Sequence, residues 1–283
     1  MQDTTADYLP RLETNRPTGP DLGKQVYCPD YRGLSIANLP ASVCRWLGVE
    51  PLESAAPPLV SGLQEHWGRS FRNVVVLLLD GFGLDMLQRA RQESQSDLDL
   101  AVWQSLPESA LLAPLTSVVP STTAAALTSL WSGALPAEHG VIGYEVFLKE
   151  YSLIANMLRH TPASYSEGES SLRLAGFDPL TFLPVPLLGP HLARQGVRPY
   201  AFLHRSIAFS SSAIGFSKSN TRSMDSPLSI VIGKYLMQGS FHIPAMNDQI
   251  DKTVLKQELR CLKIIRKLLF YRLLDNPTAC KPD

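Results

Sequence analysis

The stretch Asn73-Val-Val-Val-Leu-Leu-Leu-Asp80 decides the predicted fold, because it holds the longest strongly apolar run in the chain. A continuous apolar run rich in β-branched residues is typical of a parallel strand that is buried on both faces. Residues 84–92 then have the pattern of a helix, and residues 112–119 have that of a second strand. The three segments together predict a βαβ unit.

Strands and helices continue to alternate beyond this unit. Residues 121–133 open with hydroxyl side chains and close at a Ser-Gly step, which predicts a capped helix. Farther on, we expect a helix over residues 187–195, a strand over 197–204 and a helix over 228–237. This order predicts an α/β fold with a mostly parallel sheet flanked by helices.

Two flanking regions differ in composition from this core, which we place at residues 71–238. Residues 1–70 contain eight prolines, so we expect a Pro-rich, loop-rich N-terminal arm with one short helix over 41–47. Residues 239–283 are predicted to form a basic helical tail, because residues 252–274 combine an apolar stripe with seven Lys or Arg and one acid. Such a helix either contacts an acidic surface or docks on the core with its cations in water, and the second arrangement is the more common.

The composition is that of a folded domain, with 45% hydrophobic and 18% charged residues among 283. Lys+Arg and Asp+Glu number 26 each, so no overall positive charge points to a nucleic-acid partner. The chain begins without a signal-peptide pattern, and its apolar runs are too short to cross a bilayer, so we expect a cytoplasmic protein with no transmembrane segment. No CxxC spacing occurs, and we predict free thiols at Cys28, Cys44, Cys261 and Cys280.

Polar side chains stand where the predicted strands end. Ligands of open α/β sheets bind beyond the carboxyl ends of the strands, which is the position of Asp80. Its carboxylate suits either a metal ion or the cap of the next helix, and both alternatives remain open. Of the hydroxyls at the next helix start, Ser121 or Thr122 is expected to serve as N-cap. Another is a candidate nucleophile, because a metal ion or base could lower the pKa of its hydroxyl.

These segments resemble the type I phosphodiesterase/nucleotide pyrophosphatase family of the alkaline phosphatase superfamily. The resemblance is carried by residues 77–83, 120–123 and 132–143, and it extends from about residue 73 to about residue 238. It implies an alkaline-phosphatase-like core. It also implies two zinc ions and a small phosphate-ester or nucleotide substrate.

The resemblance assigns roles to three side chains. Asp80 would be a zinc ligand, and Thr123, ten residues before Gly133, would be both the nucleophile and a metal ligand. His139 would be a structural residue of a turn and not a ligand. If one ion contacts both Asp80 and Thr123, the two side chains should approach to within about 4 Å.

Two departures from the family pattern concern the phosphate and the metal. The position three residues after the nucleophile, where many members carry Asn, is Ala126. The family completes its zinc site with an Asp-x-x-x-His segment and an Asp-His pair, and this chain has neither. Asp225, His242 and Asp248 are the later side chains that could act as substitutes. We therefore expect a truncated form, similar to the amino-terminal half of such an enzyme, with at most a partial zinc site.

The sequence thus suggests two functions of different classes. The first is a metal-dependent phosphodiesterase or nucleotide pyrophosphatase that acts through a covalent Thr123 intermediate, with Asp80 holding the metal. The second is a catalytically inactive remnant that binds phosphate ligands or a protein partner. Metal content and hydrolysis of a phosphodiester would distinguish the two.

Overall fold

The computed structural model describes residues 1–17, 26–68, 70–81, 83–92, 107–164, 171–179, 181–204, 221–224 and 229–232. The helices in these ranges are α1 (Thr5–Thr14), α2 (Leu39–Trp46), α3 (Ser61–Gln64), α4 (Leu84–Gln92), α5 (Thr123–Ser132), α6 (Pro136–His139), α7 (Ser171–Leu174) and α8 (Leu188–Arg194). The strands are β1 (Gln2–Asp3), β2 (Val75–Leu78), β3 (Leu111–Leu112), β4 (Glu145–Leu148), β5 (Leu153–Asn156), β6 (Thr161–Pro162), β7 (Tyr200–His204), β8 (Thr221–Met224) and β9 (Ser229–Ile232).

The chain divides into two compact units. One unit combines residues 1–2, 81–110 and 236–283, and its described part includes α4. The other combines residues 3–80 and 111–235 and contains the other helices of the described chain. All predicted site residues that the structure describes belong to this second unit.

The sheet that contains β2 has the strand order β2-β9-β7-β8 in the described part of the chain. Strands β7 and β8 are parallel, whereas β9 runs antiparallel to both β2 and β7. The prediction of a mostly parallel sheet is therefore wrong for these strands, although helices and strands are mixed and one parallel pair is present. The difference comes from residues 229–232, predicted as helix, whose Ser-Ile-Val-Ile sequence is rich in the β-branched residues that favour strands.

Strand β2 lies within the predicted apolar run, but it is not buried on both faces. It stands at one end of the strand order, and Val75 is 53% exposed. Val76 and Leu78, on the alternate face, pack against the hydrophobic core. The alternate side chains Val76 and Leu78 therefore cover the core, as the period of two in a strand allows, whereas Val75 faces solvent.

The predicted second strand is mostly absent as a sheet strand. Of residues 112–119, Leu112 belongs to the two-residue strand β3, and Thr116 forms a single parallel bridge with Ser35. The predicted βαβ unit is therefore not present in the described residues, because the partner of this segment is the 30–38 region and not the neighbouring strand β2. The helix that follows, α5, agrees with its predicted position.

Residues 1–70 contain more helix than their prolines suggested. The short helix predicted over 41–47 is confirmed as α2, but α1 and α3 were missed, and Pro10 lies inside α1. Helix α8, which was also predicted, lies in the same core cluster as this region. The apolar residues of that cluster include Leu12, Val43, Leu47, Leu63, Leu188, Leu192 and Val197. The boundaries of the predicted regions stay predictions, and the basic tail lies outside the described residues.

Helix α5 is the most deeply embedded helix near the predicted site. Seven of its ten residues are buried, and it packs against α2, α6, α8 and the short helical turn Ile36–Asn38. Two of its buried hydroxyls bond within the helix: Thr128 Oγ1 donates to the Ala124 carbonyl at 2.8 Å, and Ser132 Oγ donates to the Thr128 carbonyl at 2.7 Å. Burial is thus achieved without unsatisfied polar groups at these positions.

None of the helices in the described residues is long and apolar enough to span a bilayer.

Gly133 ends α5 in the left-handed conformation, with φ +73°, and a Cβ placed there would lie 2.7 Å from the Ala55 Cβ. Gly140 ends α6 with φ +75°, and a Cβ placed there would meet no described atom within 4 Å. We expect Gly140→Ala to lower the free energy of unfolding by roughly 1–2 kcal/mol through backbone strain alone. Gly133→Ala should cost roughly 1–3 kcal/mol more, because overpacking adds to the same strain. Urea denaturation of both variants measures the difference, and equal losses would contradict the packing at Ala55.

Candidate active site

Asp80 and Thr123 are brought together by the fold. Asp80 follows strand β2 in an exposed turn, and Thr123 is the first residue of α5. The Thr123 hydroxyl donates a hydrogen bond to Asp80 Oδ2, with 3.3 Å between the oxygens. This distance agrees with the predicted approach within about 4 Å, whereas the catalytic and metal-binding roles of the two residues stay predictions.

Thr122, and not Thr123, caps helix α5. Its backbone is extended, and its Oγ1 accepts a hydrogen bond from the Ala125 amide at 3.3 Å. The Thr122 carbonyl also accepts from the Ala126 amide at 2.9 Å. Because the neighbouring residue serves as the cap, the Thr123 hydroxyl is available to face the carboxylate at the positive end of the helix dipole.

The Asp80–Thr123 pair fits part of a zinc site. A zinc ion takes oxygen ligands at about 2.0–2.2 Å, so oxygens 3.3 Å apart could both contact one ion. Zinc sites use at least three protein ligands, however, and the described residues contain no group of three His, Cys, Asp or Glu that could hold a metal. The described residues therefore fall short of a complete zinc site. The possible substitutes Asp225, His242 and Asp248 lie outside them.

His139 lies in the core, with 1% of its surface exposed. Its Nδ1 accepts a hydrogen bond from the Val141 amide at 3.1 Å, so the ring proton resides on Nε2, which lies 3.0 Å from Ser129 Oγ. Burial lowers the pKa of His139 to about 4. Both ring nitrogens are engaged, which fits a structural turn residue and leaves no lone pair for a metal ion.

The Ser129–His139 contact was not anticipated from the sequence. Its distance is that of a nucleophile and its base, but Ser129 is fully buried inside α5 and cannot be reached by a substrate. The pair instead links α5 to α6. A spacing of ten residues is not a recognised pattern, so no sequence signal would have found this contact.

The two described cysteines are free thiols, as predicted. Cys44 is fully buried, and its burial raises the pKa of the thiol to about 11. Cys44 is therefore protonated at neutral pH and is suited neither to metal binding nor to nucleophilic attack. Cys261 and Cys280 lie outside the described residues.

Residues 74–181 match the type I phosphodiesterase/nucleotide pyrophosphatase family. No curated protein and no solved structure matches the chain. The family match confirms the resemblance over this segment, which includes Asp80, Thr123 and His139. It suggests an alkaline-phosphatase-like fold and a phosphoester hydrolase, with small phosphoesters or nucleotides as the substrate class.

The environment of His139 predicts a pH dependence of stability. Its pKa is depressed in the folded protein from 6.5 to about 4, so the unfolded chain binds more protons between these values. The free energy of unfolding should therefore be highest above pH 6.5 and fall by roughly 3 kcal/mol as the pH drops through 4. In His139→Asn this contribution should be missing from the pH profile. Nuclear magnetic resonance of the ring nitrogens would give the pKa directly, and a titration near 6.5 would contradict the buried, doubly bonded ring.

Proposed function

We propose that this protein is a metal-dependent phosphodiesterase or nucleotide pyrophosphatase in which Thr123 is the nucleophile. The observation that carries the proposal is the hydrogen bond from the Thr123 hydroxyl to the Asp80 carboxylate at the start of a buried helix. Both residues lie in the segment that matches the family. The substrate would be a small phosphoester or a nucleotide, which the exposure of Asp80 allows to approach from solvent.

The pair can perform the first half of a double displacement. Thr123 Oγ attacks phosphorus while its proton passes to Asp80, the acceptor of its hydrogen bond. The bond between phosphorus and the leaving oxygen breaks, and the leaving group carries away the electron pair. The amino-terminal end of α5, with the positive end of its helix dipole, favours the charged phosphoryl group.

The second half releases the product. Water attacks phosphorus and loses a proton, which neutralises the leaving group released in the first half. The bond to Thr123 Oγ breaks, and the threonine oxygen takes back the proton that Asp80 holds. One phosphoester bond is thereby hydrolysed, and the enzyme returns to its starting state. Two inversions at phosphorus would leave its configuration unchanged.

Metal dependence is part of the proposal. Asp80 and Thr123 would be among the ligands, and further ligands would have to come from outside the described residues. Such an ion would polarise the phosphoryl oxygen and favour the alkoxide form of the nucleophile.

A second function is a non-catalytic protein that binds phosphate ligands or a protein partner. The observation that favours it is the absence of a three-ligand metal group among the described residues. In this case the Thr123 hydroxyl and the first turn of α5 would contact a phosphate without cleaving it.

Substitution of Thr123 tests the proposed function. Thr123→Ala should reduce hydrolysis of a chromogenic phosphodiester at least about 1,000-fold, because the nucleophile is lost. Asp80→Asn should reduce it about 100-fold, because an amide is a poor proton acceptor. The assays use the full chain with added Zn²⁺ or Mn²⁺. Acid quenching and mass spectrometry should find a phosphoryl adduct on the peptide that contains Thr123.

The chain offers a matched control. Thr181 Oγ1 donates to Asp178 Oδ2 at the same 3.3 Å distance, in an exposed local turn. Thr181→Ala and Asp178→Asn should leave the rate within about twofold of the wild type, since exposed pairs of this kind contribute little. Full activity of Thr123→Ala would exclude it as nucleophile. An inactive wild type that still binds a nucleoside monophosphate in calorimetry would favour the second function.

A further inference from the structure

The segment that leads into Thr123 is held by residues 30–38, which lie outside the family match. The Thr116 amide donates to the Leu34 carbonyl at 2.8 Å, and the Ile36 amide donates to the Thr116 carbonyl at 2.9 Å. The Thr116 hydroxyl donates to the Leu34 carbonyl at 3.1 Å and accepts from the Asp30 amide at 3.2 Å. Main chain and side chain of Thr116 are thus fixed together.

Of the hydrogen bonds that residues 30–38 make with this segment, the one to Tyr31 lies nearest to the nucleophile along the chain. The Val119 amide donates a hydrogen bond to Tyr31 Oη, with 3.0 Å between the atoms. Val119 itself is 56% exposed, so its side chain does little to anchor this stretch. Thr123 follows Val119 within about one helical turn of chain. Among the hydrogen bonds of the described residues, the one to the tyrosine hydroxyl is therefore the last external anchor of the backbone before the cap at Thr122.

The 30–38 region is rigid enough to serve as an anchor. Asn38 is fully buried, and its Nδ2 donates to the carbonyls of Tyr31 and Pro57, each at 2.7 Å. Its Oδ1 accepts from the Ser35 amide at 2.8 Å. The Asn38 amide group is thus bonded at both ends to three separate backbone positions, one of which is Tyr31 itself.

The same region also packs on the first turns of α5. Ala37, Val118 and Ala125 form a small buried cluster, against which Tyr31 and Ala126 are partly buried. This burial raises the pKa of Tyr31, so its hydroxyl stays neutral over the working pH range. Residues 30–38 thus contact the chain on both sides of Thr123. The Tyr31 hydrogen bond holds the backbone before it, and the small cluster packs on the helix after it.

We propose that Tyr31 is a positioning residue that holds residues 117–122 so that Thr123 presents its hydroxyl to the substrate phosphorus. This inference rests on the proposed function. It adds residues 30–38 to the part of the chain on which catalysis depends. Attack in line on phosphorus requires the nucleophile to be placed closely, and a displacement of about 1 Å can cost about 100-fold in rate. Removal of one hydroxyl should loosen this placement without unfolding the protein.

The test compares Tyr31→Phe with Tyr151→Phe in the full chain. Tyr151 packs edge-on against Phe177 in a different core cluster, so its substitution removes the same hydroxyl away from the site. We expect Tyr31→Phe to lower kcat about tenfold, with KM within about twofold and the midpoint of unfolding nearly unchanged. Amide exchange in residues 117–123 should become about tenfold faster, while Tyr151→Phe changes neither measurement.

The outcomes separate this inference from the proposed function. Unchanged kcat and unchanged exchange in Tyr31→Phe, with an inactive Thr123→Ala, would overturn the positioning role and leave the nucleophile in place. A fall in kcat matched by a lower unfolding midpoint and faster exchange throughout would show a general structural role and also overturn it. If Thr123→Ala keeps full activity, the proposed function fails, and with it the catalytic part of this inference.

Discussion

The burial of helix α5 is the constraint on which the rest of the site depends. A helix with seven buried residues out of ten must be covered on most sides, and α2, α6, α8 and the Ile36–Asn38 turn provide that cover. Its far end is fixed by Gly133, whose carbonyl accepts from the Ala56 amide at 2.8 Å. Thr123 stands at the start of this helix and is partly exposed. The position of the hydroxyl is therefore set by core packing, which defines a site more closely than a free loop does.

Ion pairs of Asp30 connect helix α1 to the region that packs on α5. Asp30 is buried, and its carboxylate lies 2.6 Å from Arg11 of α1 and 3.4 Å from Arg32. A buried carboxylate is stable only when it is paired and hydrogen-bonded, so the two arginines are needed where Asp30 stands. The Asp30 amide in turn donates to Thr116. A run of contacts thus leads from α1 to the segment that precedes the nucleophile.

The sequence predicted the parts of the fold that depend on local pattern. Helices α2, α4, α5 and α8 and the strand β2 were expected close to where they occur, because their periodicity and end signals are local. The sequence did not predict which strand pairs with β2 or in which direction. Strand pairing depends on residues that are distant in the chain, such as 229–232. The approach of Asp80 and Thr123 was expected from a shared edge of a parallel sheet. It occurs by another route, since the segment before Thr123 is bridged to Ser35.

The contrast between the two carboxylates shows what a metal could contribute here. Asp30 is buried and requires its arginines, whereas Asp80 is exposed and keeps its hydration, so the folded state needs no cation beside it. Thr123 is likewise held in place by the packing of α5. In structural zinc sites, by comparison, the ion holds the fold together and its removal unfolds the domain. An ion bound at Asp80 and Thr123 would therefore act on the chemistry of the phosphoryl group, and activity could depend on it while the fold does not.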